Sequence, residues 1–196
     1  MADLILQIAV SLDGYIEDEK GSIDFMAGDT SLDAVHTATL RSIDGMIFGR
    51  KAHALLAAFW PSAGRTAGAS AALSEQAELM NTLPKYVLTH GEERTGWANS
   101  HAVTTEDVAG LKLRAKRPIA VYAGAGAAQA LMGQIDEICL IQYPVLLGSG
   151  TRLFDDGIRR DLALMESRAF ASGVVLQCYR VGQVSVRTPS GRRRRI

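Results

Sequence analysis

Two cations follow a glycine directly, at Gly49-Arg50-Lys51, and this arrangement favours contact with phosphate. An apolar run at 46–48 precedes the glycine and a helical pattern follows it, so the three residues predict a strand-to-helix turn. A helix start offers unpaired backbone N–H groups and a partial positive charge, and Arg50 adds a planar pair of donors. The turn therefore suits a phosphorylated ligand. The alternative is ordinary turn chemistry beside a solvated basic pair.

A second turn of the same kind, Ala123-Gly124-Ala125-Gly126, follows the apolar residues 119–122. Small residues let the backbone approach a ligand closely, and the helix start again favours an anion. The Gly-x-Gly pattern is shorter than the full dinucleotide fingerprint, and tight packing of a helix on a strand also needs small residues. Two such turns in one parallel sheet nevertheless indicate a ligand with a pyrophosphate, held at each end by one turn.

The elements that position these turns alternate between strand and helix. The apolar patterns predict strands at 4–11, 46–48, 86–89, 119–122 and 138–143, and helices at 32–41, 50–59, 71–83, 105–116 and 127–132. Leu55, Leu56 and Phe59 are expected to share the inward face of the second helix, which Trp60-Pro61 should end. Residues 15–28 are expected to form a long loop, and 163–171 with 174–181 a hairpin.

This order predicts an α/β fold of three layers, with a mostly parallel central sheet, helices on both faces and antiparallel C-terminal strands. The chain has 196 residues, which fits one domain over 1–188 followed by a basic tail over 189–196. The formal net charge is 0, which argues against a dedicated binder of nucleic acid or membrane surface. Cys139 and Cys178 are expected to be unpaired core residues in a reducing compartment, so a cytoplasmic location is predicted. The four histidines show no metal-ligand spacing, and no metal is expected.

The ordered motifs resemble the dihydrofolate reductase-like superfamily. They are most similar to its branch related to the C-terminal reductase domain of bifunctional riboflavin-biosynthesis deaminase/reductases. The resemblance covers residues 3–182 and is specific for the fold, not for the substrate. It is carried by SLDGYI at 11–16, Gly49-Arg50, the turn at 123–126, Asp136-Glu137, and PVLLGSG at 144–150 with Phe154.

The resemblance implies NADPH bound across the carboxyl edge of the sheet, a small-molecule substrate and a homodimer. By position, the cofactor residues are Ala9 and Ile16 at the nicotinamide, Gly49, Arg50 and Lys51 at the phosphates, Thr89 near the adenosine, and Gly124, Ala125, Gly126 and Ala127 at the pyrophosphate. Arg50 or Lys51 would meet the 2′-phosphate. Two positions depart from the family pattern: Ala52 replaces a common threonine, and Ala123 replaces a common glycine and would be strained at a positive φ.

Reduction also needs a proton donor, and the sequence leaves its identity open among Asp24, Asp29 and Asp33. We take Asp29 and Tyr143 as catalytic candidates, although Asp29 also fits a helix cap. Asp13, Phe25 and Phe154 are assigned to the substrate, with Phe25, Phe154 and Tyr143 as an apolar wall for a flat heterocycle.

The leading hypothesis is an NADPH-dependent reductase of a pterin-like, pyrimidine-like or otherwise conjugated substrate. The alternatives are an NADP(H)-binding module without catalytic activity, and an interaction protein that uses the arginine run at 192–195.

Overall fold

The fold is taken from a computed structural model, which describes residues 1–26, 30–89 and 96–182. The strands are β1 (Leu4–Ser11), β2 (Tyr15–Glu17), β3 (Gly45–Gly49), β4 (Lys85–Leu88), β5 (Ser100–Val103), β6 (Ile119–Val121), β7 (Glu137–Tyr143), β8 (Thr151–Arg152), β9 (Leu162–Ala169) and β10 (Val175–Val181). The α-helices are α1 (Asp33–Ser42), α2 (Arg50–Ala63), α3 (Ala71–Thr82), α4 (Asp107–Arg114) and α5 (Ala125–Leu131), and short 3₁₀ turns lie at Asp24–Met26 and Thr30–Leu32. The arginine run at 192–195 lies outside the described residues.

The main sheet has eight strands in the order β5-β4-β3-β6-β1-β7-β10-β9. The strands from β5 to β7 in this order pair in parallel, whereas β10 pairs antiparallel with β7 and β9 antiparallel with β10. A separate two-stranded sheet joins β2 to β8. The predicted α/β class, with a mostly parallel sheet and antiparallel C-terminal strands, is confirmed.

Alternation along the inner strands divides the core between the two faces of the sheet. In β3, Ile47 packs into a cluster that includes Val108 of α4 and Leu131 of α5. Its neighbour Phe48 packs into a second cluster, which contains Met80 of α3. Because successive strand residues point to opposite faces, one apolar run serves both helical layers, as expected for a central strand.

The second helix continues through Trp60-Pro61 to Ala63, so the expectation that this pair ends it was wrong. A proline removes one helical hydrogen bond. Here that loss falls in the last turn, where Trp60 packs against the cluster on the α3 side and Ala63 is buried. Tertiary packing therefore outweighs the local signal.

The expected inward face of α2 is also corrected. Leu56 packs on the core, whereas Leu55 and Phe59 are 55% and 51% exposed. The inward positions of α2 are instead Ala52, His53, Leu56, Ala57, Trp60 and Ala63. The apolar pattern alone did not define this face, because Leu55 lines an open cavity and Phe59 packs against the Trp60 ring instead of entering the core.

Cys139 and Cys178 form a disulfide between β7 and β10, so the expectation of unpaired cysteines was wrong. The two residues face each other directly in the antiparallel register, with their Cα atoms 4.1 Å apart. Their sequence separation of 39 gives no sign of this pairing, because strand register alone decides which residues meet. The cysteines therefore no longer support a reducing compartment. The cytoplasmic location stays a prediction.

Within the described ranges, no helix combines the length and apolar character needed to cross a membrane. The region 15–28, expected to be a long loop, contains the short strand β2, and its residues 27 and 28 lie outside the described part of the chain.

Candidate functional site

The two glycine turns lie side by side at the carboxyl edge of the sheet. Strands β3 and β6 are neighbours, and Gly49 and Gly124 stand at the starts of α2 and α5. Neither helix start has a side-chain cap, so its first N–H groups are not satisfied by a capping side chain. A Cβ added at Gly49 would lie 3.1 Å from Cβ of Ala127, which shows how closely the two turns pack.

The second turn is open in front of its glycines. A Cβ added at Gly124 or Gly126 would meet nothing within 4 Å, so both backbones leave room for a ligand. Among the described residues other than glycine, Asn99 alone has a positive φ. Ala123 therefore adopts an ordinary backbone conformation, and its departure from the family glycine causes no strain at this position.

A cavity of about 390 Å³ lies between the sheet and the helices α1, α2 and α3. Its lining is mostly apolar, with Leu40, Leu56 and Met80 supplied by these three helices. Five of the residues assigned from the sequence line it: Ala9, Ile16, Lys51, Gly124 and Tyr143. This cavity reaches from residues of both turns to the sheet face, and its apolar lining fits the interior of a small-molecule site.

Of the expected aromatic wall, the structure brings together Phe25 and Tyr143. Their rings meet edge to face, with centroids 5.5 Å apart, and Tyr143 is 8% exposed. Phe154 packs instead against the cluster that contains residues of α4 and α5, and it is not among the residues that line the cavity. Phe25 is likewise absent from the described lining, and the assignment of both residues to the substrate stays a prediction.

Asp13 ties the end of β1 to the loop after β7. Its carboxylate accepts hydrogen bonds from the Ser11 hydroxyl at 2.6 Å and from the backbone N–H groups of Leu147 at 3.1 Å and Gly148 at 2.8 Å. These bonds, led by that from Ser11, lower the pKa of Asp13 from 3.8 to about 2. Asp13 therefore holds two loops together, and its expected contact with substrate stays a prediction.

Glu17 and Lys51 form an ion pair at the mouth of the cavity, with Lys51 Nζ 2.7 Å from Glu17 Oε2. The Thr151 hydroxyl donates to the other carboxylate oxygen at 2.8 Å. The hydrogen bond from Lys51 is the main cause that lowers the pKa of Glu17. The Lys51 side chain is 73% exposed, so its position at the entrance is compatible with contact to a ligand phosphate.

The remaining assigned residues lie around the same edge. Arg50 is the first residue of α2 and is exposed. Thr89 follows β4, and its N–H donates to the carbonyl of Val103 at 3.0 Å. Ala125 and Ala127 lie in α5. Asp29, the other catalytic candidate, lies outside the described residues. All these roles stay predictions.

Two polar residues deep in the cavity were missed by the sequence analysis. Tyr122 Oη donates to Gln7 Oε1 at 3.1 Å, and both residues line the cavity. The sequence did contain a signal for Gln7, because it is a polar residue inside the otherwise apolar strand LILQIAVS. His36 also lines the cavity. His53 is a satisfied buried histidine, with Nε2 2.9 Å from the Ser100 hydroxyl.

Among the residues that the structure describes, no cluster of three or more His, Cys, Asp or Glu side chains is arranged to hold a metal ion. The site therefore consists of two glycine turns, two cations near them and an apolar cavity with a neutral polar floor.

Comparison with known proteins shows that the chain belongs to the RibD C-terminal domain family, which matches residues 2–176. The chain is 31% identical over 183 residues to the uncharacterised protein YyaP of Bacillus subtilis (strain 168), covering 90% of this chain and 93% of that protein.

Solved structures agree on the fold. A putative riboflavin biosynthesis protein from Shewanella sp. PV-4 is 22% identical, with a TM-score of 0.68 over 93% of this chain and 100% of that one. Dihydrofolate reductase from Enterococcus faecalis, complexed with NADP(H), is 10% identical, with a TM-score of 0.58 over 92% of this chain and 97% of that one. The chain matches 57% of the deaminase/reductase from Thermotoga maritima, at 14% identity and a TM-score of 0.63 over 92% of this chain. The suspected superfamily and branch are confirmed.

Proposed function

We propose that this member of the RibD C-terminal domain family is an NADPH-dependent reductase of a small heterocyclic or conjugated substrate. The observation that supports it most strongly is the placement of both glycine turns beside one apolar cavity. The turns follow neighbouring strands, and Lys51 and Gly124 contribute to the cavity lining. A dinucleotide could contact both turns while its reactive ring enters the cavity.

The residues at the two turns fit such a cofactor. In this proposal its phosphates are held by Gly49, Arg50, Lys51, Gly124, Ala125, Gly126 and Ala127, and its adenosine lies near Thr89. The open space at Gly124 and Gly126 allows close approach of the backbone. Arg50 and Lys51 supply the positive charge that distinguishes NADPH from NADH, because the extra 2′-phosphate is anionic.

When bound, NADPH would supply a hydride to an electrophilic carbon of the substrate, and a proton would complete the reduction. Ala9 and Ile16 line the cavity, and the nicotinamide ring would lie against their apolar side chains. The apolar walls exclude water from the reacting atoms.

Tyr143, buried in the lining, and Asp29 are the proposed proton donors. Glu17 is a poor donor, since the hydrogen bond from Lys51 lowers its pKa and keeps it ionised.

Thermal unfolding with each cofactor tests this proposal. NADPH should raise the midpoint more than NADH at equal concentration, because only NADPH offers the 2′-phosphate to the cations. Equal shifts, or no shift with either cofactor, would remove the proposal. A following screen measures NADPH oxidation with pteridines, flavins, ribosylaminopyrimidines and quinones.

An NADP(H)-binding module without catalytic activity is the second candidate. It is favoured by the state of Glu17, the one carboxylate among the described lining residues, which is held by Lys51 and Thr151 and is not available as an acid. This candidate predicts a clear NADPH shift with no oxidation by any compound of the screen. Turnover with one compound would exclude it.

We also propose a homodimer, supported by the exposure of the edge strand β9. All eight residues of β9 are exposed, including Leu164 at 58% and Met165 at 53%. An exposed apolar edge strand is prone to pair with another chain. Light scattering after gel filtration should give twice the monomer mass, and Leu164→Asp should shift the mass towards the monomer. A monomeric parent protein would contradict the proposal.

A further inference from the structure

Two spaces meet at the mouth of the cavity. The apolar cavity of about 390 Å³ adjoins a second, polar pocket of about 580 Å³. The polar pocket is lined by residues 17–21, Lys51, Gly150 and Thr151. Glu17, Gly21 and Lys51 line both spaces, so these three residues stand at the junction between them.

The ion pair between Glu17 and Lys51 crosses this junction. Lys51 Nζ lies 2.7 Å from Glu17 Oε2, and a Cβ added at Gly21 would lie 2.9 Å from the same ammonium. Gly21 also has a φ of +74°, so both the close approach and the backbone conformation favour glycine at this position. The Lys51 side chain therefore reaches from the start of α2 to the loop after β2.

Glu17 is the fixed partner of the pair. Its other carboxylate oxygen accepts a hydrogen bond from the Thr151 hydroxyl at 2.8 Å, and its side chain is 20% exposed. The loop that follows is closed on itself, because the Asp18 N–H donates to the Ser22 carbonyl at 3.0 Å. The Asp18 carboxylate accepts from the backbone N–H groups of Lys20 and Ser22, each at 2.8 Å. Movement on this side of the pair would break several hydrogen bonds.

Lys51 is the partner that can move. Its side chain is 73% exposed, and of the described residues Glu17 is the one that pairs with it. A lysine ammonium stands on a flexible four-carbon stem. An ion pair with so exposed a lysine is weak, because water competes for both charges. Rotation of Lys51 away from Glu17 therefore costs little.

The charges of the polar pocket make Lys51 decisive for an anion. The lining carries three carboxylates, Glu17, Asp18 and Glu19, against two ammonium groups, Lys20 and Lys51. The hydrogen bond from Lys51 is the main cause that lowers the pKa of Glu17, so this carboxylate stays ionised and competes for the ammonium. An entering phosphate gains a charge-assisted hydrogen bond at the junction only when Lys51 turns to it.

We propose that the Glu17–Lys51 ion pair is a gate between the two spaces, and that a phosphate group opens it by drawing Lys51 away from Glu17. The open gate joins the polar pocket to the apolar cavity, so that one ligand places a phosphate in the first and its reactive ring in the second. Glu17 thus lowers the affinity for phosphate. The inference rests on the proposed function for the identity of that phosphate, which belongs to the dinucleotide cofactor.

Calorimetric titration with inorganic pyrophosphate and with NADP⁺ tests the gate in the parent protein, Glu17→Gln, Lys51→Met and the combined variant. Glu17→Gln should bind both probes about two- to fivefold more tightly, because Lys51 no longer has to leave a charged partner. Lys51→Met should weaken both probes, and in its background Glu17→Gln should lose most of its gain. Unchanged or weaker binding by Glu17→Gln would overturn the inference.

Glu19→Gln is the matched control. It removes the same charge from the polar pocket, at an exposed side chain. At physiological ionic strength, where charges are screened over about 8 Å, it should change the affinity of either probe by less than about 1.5-fold. Equal gains from Glu17→Gln and Glu19→Gln would show long-range repulsion in place of competition for Lys51, and would overturn the inference.

The two probes separate the gate from the proposed function. If pyrophosphate shows the Glu17 effect while neither NADP⁺ nor NADPH binds, the reductase proposal fails and the gate is supported. If NADP⁺ binds the parent protein and Glu17→Gln equally, the gate fails and the reductase proposal stands. Failure of both probes to bind any of these proteins would overturn both.

Discussion

Gly49 and Ala127 bring two distant segments of the chain into direct contact: a Cβ added at Gly49 would lie 3.1 Å from the Ala127 Cβ. Gly49 ends β3 and precedes α2, whereas Ala127 lies in α5, which follows β6. The contact exists because β3 and β6 are neighbours in the sheet. This contact sets the distance between the two turns that we propose bind the cofactor phosphates.

A double-mutant cycle tests this contact. Gly49→Ala should lower the free energy of unfolding by about 1 kcal/mol through overpacking, and Ala127→Gly should remove the crowding. We therefore expect a coupling energy of about 1 kcal/mol between the two changes in urea unfolding. Gly133→Ala, where an added Cβ meets nothing within 4 Å, is the control for glycine replacement. Additive effects at positions 49 and 127 would show that this contact does not limit how closely the two turns pack.

Arg50 and Lys51 should differ in their importance for NADPH. Arg50→Ala should weaken NADPH by about 10–100-fold, the equivalent of a charged hydrogen bond of about 1.5–3 kcal/mol, and NADH by much less. Lys51→Ala should have a smaller effect, because an ammonium contacts a phosphate as a point charge, whereas the Arg50 guanidinium can donate two parallel hydrogen bonds.

Fluorescence titration of both cofactors measures the two losses. Arg65→Ala, an exposed arginine beyond the end of α2, is the control and should leave both affinities unchanged. A loss of the same size for NADH and NADPH would show that Arg50 does not contact the 2′-phosphate.

Asp13 should make the stability of the protein depend on acid pH. Its pKa is about 2 in the folded state against 3.8 as the reference, so its stabilising contribution is fully present above about pH 4. That contribution is lost as the pH falls towards 2, because protonation removes the acceptors for Ser11, Leu147 and Gly148.

Urea unfolding between pH 5 and pH 2 should therefore show a smaller stability difference between the parent protein and Asp13→Asn as the pH falls. Asp156→Asn, an exposed control, should follow the parent protein at every pH. If the stability difference between the parent protein and Asp13→Asn stays constant across this pH range, the ionised carboxylate is not what holds the two loops together.

The disulfide should contribute to stability through the 39-residue separation that it spans. Closing a loop of this length restricts the unfolded chain, with a typical effect of about 2–4 kcal/mol. Dithiothreitol should therefore lower the unfolding midpoint of the parent protein. The double variant Cys139→Ala with Cys178→Ala should unfold at one midpoint with and without reductant. Unchanged stability of the parent protein, with reduction verified by thiol titration, would contradict this expectation.

Local sequence determined much of the fold. The apolar run at 46–48 with Gly49 marked both β3 and the start of α2, and the strand Leu4–Ser11 was predicted with its observed bounds. The order of strands and helices also indicated the parallel sheet and its antiparallel end. These predictions held because strand, helix and turn preferences depend on residues that are near one another in the chain.

Only the tertiary structure decided the contacts that complete the site. Tyr122 meets Gln7 across 115 positions, and Leu147 meets Asp13 across 134. Lys51 meets Glu17, and Cys139 meets Cys178, in the same non-local way. Each pairing depends on strand order and register, which place residues opposite one another without leaving a local pattern. The sequence by itself therefore determined the elements and the glycine turns, while the packing of those elements decided which polar groups face the cavity and which are already paired.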